Sequence, residues 1–419
     1  MGLQFFPRGG SAHVARNLAR ALPAAGWEAG VLSGSARPDG DARAFYAGLQ
    51  LHELDMTAAL TAPDPIAADP PLHASYEDRP DAPDRWMASL TDAETEHQVS
   101  AWAAALARAG APDADVLHLH HLTPLNAAAQ RVAPHIPVVG HLHGTELEML
   151  EGLDSEHPWR ARLSEWAARC ERLVVLTDSQ VERAERLLGI DPERCVRVAN
   201  GFDPETFTRR PLTGAARAAF WRERLGTDLP DGVAVLLYVG RFTKVKRVGL
   251  LIEAHQRARQ ATGVRAPLVL LGGFPGEWEG EHPAAAVARL GAEDVHLAGW
   301  HSHDALPGFL NAADAVVLAS VREQFGQVLV EGMACGLPAV AVAAHGPAEI
   351  VTDSETGWLV PPDDADALAA ALGEVLTDPA ERARRGAAAM RVARARYAWP
   401  ALAADVAQVY DSVRAPALA

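Results

Sequence analysis

The sequence is poor in cysteine, in aromatic residues and in positive charge, and each shortage closes off a class of protein. Three cysteines, Cys170, Cys195 and Cys335, are spread unevenly over 419 residues. They match neither a disulfide framework nor a metal-ligand spacing, so a reduced, cytoplasmic protein is expected. Lys and Arg number 38 against 54 Asp and Glu, a net charge of −16. A nucleic-acid partner would need a basic stripe, and adsorption to anionic lipid would need clustered cations, so the balance argues against both. No run of 18 apolar residues occurs, and no transmembrane segment is expected. Met1 to Pro7 lack the basic region and long apolar core of a signal peptide. Gly2 is not followed by the Ser or Thr that N-myristoylation requires. What is present, 49% hydrophobic and 22% charged residues, suits a soluble globular enzyme of two or three domains.

The most informative stretch runs from Val316 to Glu331. It reads as a buried strand (Val316 to Ser320), a short loop, and a helix to Cys335 that Gly336-Leu337-Pro338 stops. A second apolar strand follows at Ala339 to Val342. Strand, loop and helix in this order present a helix N-terminus at the carboxyl edge of a parallel sheet, where open α/β sheets bind ligands. N–H groups near Phe325, Gly326, Gln327 and Val328 can donate to hydroxyl or phosphate oxygens. Glu323 and Glu331 bracket the corner, and a carboxylate accepts two hydrogen bonds at once, which suits vicinal hydroxyls. The plain alternative is an ordinary loop acid and a solvated helix acid.

A second cluster lies about eighty residues earlier. The strand Ala234 to Val239 leads into Gly240-Arg241-Phe242-Thr243-Lys244-Val245-Lys246 and a helix from Val248 to Ala261. Arg241 and Lys246 on a loop before a helix N-terminus suit a diphosphate, with Lys244 as the competing cation. Near the start, Gly9-Gly10 separates a short strand tail (Leu3 to Phe6) from a helix over Ala12 to Leu22. That turn can cradle a diphosphate with backbone N–H groups or simply be tight. Five histidines, His118, His120, His121, His141 and His143, end two strands. Alternate strand residues share a face, so these could gather. No Cys or paired carboxylate accompanies them at ligand spacing, and a metal is the weaker reading. The other is that they satisfy backbone groups and line a cleft.

Between Glu53 and Glu96, six prolines (63, 65, 70, 71, 80 and 83) are expected to break regular structure, and eleven acids face only Arg79 and Arg85. The segment reads first as a solvated insertion. The functional reading is an acceptor-side loop whose negative field favours a cationic acceptor, such as an amino sugar or aminocyclitol.

Glu323-x7-Glu331 with Phe325-Gly326 inside and Met333-Ala334-Cys335-Gly336-Leu337-Pro338 after it resembles the donor-sugar motif of retaining GT-B glycosyltransferases of the family 4 group. Gly9-Gly10, His143-Gly144-Thr145-Glu146 and Arg241-x4-Lys246 fall in that family's order, so the resemblance covers nearly the whole chain. One departure is a clipped first strand before Gly9. The resemblance implies an α/β fold of two Rossmann-like parallel-sheet domains facing a central cleft. The expected division is 1–208, the acceptor-binding domain, with a C-terminal helix 400–414 crossing back onto it, and 209–399, the donor-binding domain. It implies metal-independent transfer of a sugar, with retained configuration, from a nucleotide sugar to a hydroxyl of a small soluble acceptor. A UDP-sugar is favoured and a GDP-sugar stays open. His143, Arg241, Lys246 and Glu323 would be catalytic; Gly9, Gly10, Gly240, Phe325, Gly326, Gln327, Val328 and Glu331 would bind the donor. No cofactor is expected, and a homodimer is left open. The alternatives are a GT-B nucleotide-sugar epimerase or a non-catalytic nucleotide-sugar-binding module.

Overall fold

A computed structural model describes residues 1–7, 9–38, 40–78, 83–230, 232–273 and 278–414. The chain divides into two compact units: Met1–Asn200 with the C-terminal stretch from Trp399, and Gly201–Ala398. The boundary between these compact units falls after Asn200.

The first unit holds a seven-stranded parallel sheet. Its strands are β1 (Gly2–Leu3), β2 (Gly30–Ser35), β3 (Gln50–Asp55), β4 (Leu117–His120), β5 (Val138–His141), β6 (Arg172–Val175) and β7 (Cys195–Arg197). They lie in the order β3-β2-β1-β4-β5-β6-β7. The order reverses between β1 and β4, and the loops leaving these two strands open a crevice at the carboxyl edge. The short first strand is thus the central one, and its two residues pair with both β2 and β4. The helix Gly10–Ala21 follows the Gly9 turn and buries Val14 and Leu18. Those residues pack with Val174 of β6 and with Leu402 and Val406 of the helix Trp399–Val413, which returns to this unit.

The 53–96 segment is not a solvated insertion. Its beginning is β3 itself, and Met56, Ile66, Leu72 and Met87 are buried in one core with Trp102 and Leu125. Six of its acids are paired by arginines: Glu53 with Arg43, Asp55 with Arg37, Asp64 and Glu94 with Arg85, Glu96 with Arg131, and Asp92 with Arg162. Apolar residues too sparse to show a period still fill the space over the sheet, and buried area outweighs the broken backbone pattern. Arg79, Pro80 and Asp81 lie outside the described residues.

The second unit holds a six-stranded parallel sheet of β8 (Leu236–Val239), β9 (Leu268–Leu271), β10 (Val295–Gly299), β11 (Ala315–Leu318), β12 (Ala339–Val342) and β13 (Gly357–Val360). The order β10-β9-β8-β11-β12-β13 puts its reversal between β8 and β11. Strands β9, β11 and β12 are buried along their whole length, as continuous apolar runs covered on both faces must be.

Candidate functional site

The reversal in the second sheet is why two motifs distant in sequence meet. Residues 240–247 leave β8 and residues 319–326 leave β11, at neighbouring strands. There Lys246 donates from Nζ to a carboxylate oxygen of Glu323, each side chain 16% exposed. The ammonium that reaches Glu323 is thus that of Lys246, while Lys244 donates its backbone N–H to Glu279 at 3.2 Å. Arg241 stands exposed on the same loop, and its carbonyl accepts from the Tyr238 hydroxyl at 2.7 Å. The N–H of Gly240 is used within the sheet edge, donating to Leu271 at 3.0 Å.

The helix Gln327–Ala334 opens at Gly326, whose φ of +102° a glycine adopts without strain, and no side chain caps it. Leu329 donates the first bond, to Gly326, so the N–H groups of Gln327 and Val328 stand ahead of it at the positive end of the helix. The loop is braced from behind by Gly346, which donates to the Glu323 carbonyl at 3.2 Å. A Cβ at Gly346 would sit 2.2 Å from the Phe325 carbonyl oxygen, so any side chain there would push the loop away.

Glu331 is not a solvated helix acid. It is 2% exposed, and a buried carboxylate needs donors. Its Oε1 accepts from His303 Nε2 at 2.8 Å and from Gln327 Nε2 at 3.0 Å; that same amide also donates to the Gly201 carbonyl at 2.8 Å. His303 escaped the sequence reading because it lies 28 residues from its partner, and Gln327 entered it only for its N–H.

In the first unit, β4 and β5 pair with His120 opposite His141. His118 and His120 share a face, and the four rings of His118, His120, His141 and His143 collect there. Among the described residues their rings hydrogen-bond to each other and to Tyr410, and not to the backbone as sequence suggested. Tyr410 Oη lies 2.5 Å from His118 Nδ1, His118 Nε2 lies 3.2 Å from His141 Nδ1, and His120 Nδ1 lies 3.0 Å from His143 Nε2. Burial drives all four to titrate below the ordinary histidine range, His141 to about 3, and neighbouring imidazoles reinforce the effect. His121 instead faces Glu146, with Nδ1 3.3 Å from Oε2. Burial alone would raise the Glu146 carboxyl, but His121 and the His143 backbone N–H, 3.0 Å from Oε1, outweigh it and hold the pKa low.

His118, His120 and His141 each place one ring nitrogen within 4.8 Å of the others, a span a metal ion could bridge. Their planes, however, lie within 22° of parallel. Parallel planes alone do not decide the matter, but His118 Nε2 and His141 Nδ1 face each other at 3.2 Å, a hydrogen-bond distance, and an ion between them would have to displace that bond. Gly9 ends in extended backbone at the start of the helix Gly10–Ala21, and a Cβ at Gly9 or Gly10 would touch nothing within 4 Å. Packing inside the protein therefore does not demand glycine at either position.

Residues 8–206 match the model described as Glycosyltransferase Family 4, and residues 220–392 the one described as Glycosyl transferases group 1. A D-inositol 3-phosphate glycosyltransferase of Stackebrandtia nassauensis is 33% identical over 309 residues, covering 71% of this chain and 68% of that protein. Among solved structures, sucrose-phosphate synthase from Thermosynechococcus elongatus is similar with a TM-score of 0.70 at 24% identity, over 97% of this chain and 94% of the other. Anabaena HepE in complex with UDP and glucose is similar with a TM-score of 0.68 at 19% identity, over 98% and 100%.

Proposed function

The chain belongs to the family 4, group 1 glycosyltransferases of the GT-B class, and from that premise we propose that it moves a sugar from a UDP-sugar to a hydroxyl of a small polyol acceptor with retention of configuration. One observation carries the reading: Lys246 and Glu323 meet at the reversal of the second sheet, and on the helix that follows, the buried Glu331 already has its Oε1 held by His303 and Gln327.

Arg241 and Lys246 stabilise the charge that grows on the departing diphosphate, the part a divalent cation plays in other transferases. Glu323 and the N–H groups of Phe325, Gly326, Gln327 and Val328 hold the sugar hydroxyls. Glu331 receives the ribose hydroxyls. Gly240, Gly9 and Gly10 give the phosphates room. His143 meets the sugar and the acceptor. The bond from the anomeric carbon to the phosphate oxygen breaks, a bond to the acceptor oxygen forms on the same face, and the hydroxyl proton passes to the departing phosphate. UDP is favoured because a solved structure of the same fold holds UDP and glucose. The relative's name points to a phosphorylated cyclitol as acceptor class. A cationic acceptor loses its main support, since arginines pair six acids of the 53–96 segment.

A thermal-shift panel of UDP-, GDP- and ADP-sugars, without added metal, tests this on wild type and on Arg241→Ala. A ligand that binds only the folded protein raises its melting temperature with the logarithm of saturation. Stabilisation by UDP-sugars alone, lost in the variant, is the expected result. No shift with any nucleotide sugar would sink the donor assignment. Product analysis without acceptor separates an epimerase, and binding without turnover a non-catalytic module.

A further inference from the structure

The transferase reading uses His143 and leaves its neighbours idle. Yet His120 is fully buried, sits on β4 and reaches His143 across the strand pair. A neutral imidazole carries one proton on one of two nitrogens, and which one decides whether a given nitrogen donates or accepts. At ordinary histidine pairs this choice is open. Here two dead ends constrain it. Nε2 of His120 and Nε2 of His141 are buried without a hydrogen-bond partner among the described residues.

A buried N–H without an acceptor is rarer and more costly than an unused lone pair. The proton of His120 therefore belongs on Nδ1, where it is donated to His143 Nε2 over 3.0 Å. With Nε2 engaged as acceptor, His143 must keep its own proton on Nδ1. The parallel string obeys the same rule: His141 Nδ1 donates to His118 Nε2, and His118 Nδ1 donates to the Tyr410 oxygen. His143 stacks on His141, with ring planes 6° apart and centroids 4.5 Å apart, and its backbone N–H is tied to Glu146. Of its ring nitrogens, Nδ1 is the one left for a ligand.

We propose that His120 is a positioning residue that fixes the Nδ1–H tautomer of His143, so that His143 meets the reacting hydroxyl groups as a hydrogen-bond donor and not as a base. The catalytic consequence rests on the transferase reading; the tautomer itself does not. A donor at this place orders a sugar or acceptor oxygen and leaves the hydroxyl proton for the departing phosphate.

The test is nitrogen NMR of the full chain labelled with 15N-histidine, with His143→Gln used only to assign the His143 signals. The expected spectrum shows a protonated Nδ1 and an unprotonated Nε2 at His143. A protonated Nε2 would overturn the proposal outright, whatever the activity. Two variants then ask whether His120 is the cause. His120→Asn keeps an amide donor where Nδ1 stood, and His120→Leu removes it. In His120→Leu the His143 signals should become a mixture of tautomers. Its kcat should fall about tenfold, as for loss of one hydrogen bond at a reacting group, with the donor KM within about twofold. His120→Asn should restore both. Equal losses in the two variants with unchanged His143 signals would make His120 merely structural and end the proposal. So would about one tightly held metal ion per purified chain whose removal changes the histidine spectrum. If the wild type proves inactive on every nucleotide sugar, the spectra still decide the tautomer, and only the transferase reading falls.

Discussion

The two sheets share the order 3-2-1-4-5-6, to which the first adds a seventh strand, and both gather polar groups at the carboxyl edge, yet they make burial tolerable in opposite ways. The first unit keeps imidazoles neutral and lets them satisfy one another. The second sets a cation against a carboxylate and supplies a buried acid with donors from His303 and Gln327. Neutral groups can order hydroxyls without a field; opposed charges can be separated again by a charged ligand that takes one of them. The contrast predicts that acid injures the first unit and salt the second.

The largest effect tests that contrast by pH. His118, His120, His141 and His143 titrate in the folded protein well below the ordinary value near 6.5. Below that value the unfolded chain binds protons that the folded chain refuses, so stability is complete above it and is lost as pH falls toward the folded values, about 3 for His141. Each such histidine contributes a slope of up to about 1.4 kcal/mol per pH unit, at most about 5.5 kcal/mol per pH unit for the four together. In the second unit, His255 is lowered to about 4 and the half-buried His296 is lowered less completely, so the slope is smaller. Limited proteolysis with mass spectrometry between pH 7.5 and 5 should release first-unit peptides before second-unit ones. Simultaneous release would break the comparison.

Next in size is the charge pair. Lys246→Ala or Arg241→Ala should lower kcat by roughly 10²–10³, the usual cost of removing one preorganised group that stabilises developing charge. Raising ionic strength should weaken donor binding in the wild type and much less in either variant. Steady-state kinetics over a salt series checks both, and identical salt dependence in all three would remove the clamp from the argument. A smaller effect is expected at His303, which lies on no recognisable motif. If it orders Glu331 for the ribose, His303→Ala should weaken UDP binding about tenfold, one charge-assisted hydrogen bond's worth, and leave a nucleotide without ribose hydroxyls unaffected. Calorimetric titration with the two ligands reads the difference directly; equal losses would mean that His303 only supports the fold.

What could be read in advance follows from how local each signal is. Glu323, Glu331, Arg241 and Lys246 lie on loops directly after apolar strands or on the helix that follows, so residue order alone placed them at a carboxyl edge. The meeting of Lys246 with Glu323 needed strand order as well, which the family pattern supplied. His303 with Glu331 and His120 with His143 depend on pairings 28 and 23 residues apart, and strand alternation gives a face but not a register. The 53–96 segment misled because its acids were counted without the arginines at 37, 43, 131 and 162, and because Met56, Ile66, Leu72 and Met87 follow no single period.

That segment also offers the mildest test of the contrast, because it contains both kinds of support. Arg85 pairs with Asp64 and Glu94, with side chains 38%, 49% and 25% exposed, while Met87 two residues on is fully buried. An exposed pair gains little over water and is screened by salt, so Arg85→Ala should cost under about 1 kcal/mol and less still at high ionic strength. Met87→Ala removes buried contacts and leaves a cavity, so it should cost about 2–5 kcal/mol at any salt. Urea unfolding of both variants at low and high salt decides it. If Arg85→Ala proved the more harmful, charge would hold this part of the first unit together, and the division of labour between the two units would have to be redrawn at the level of segments.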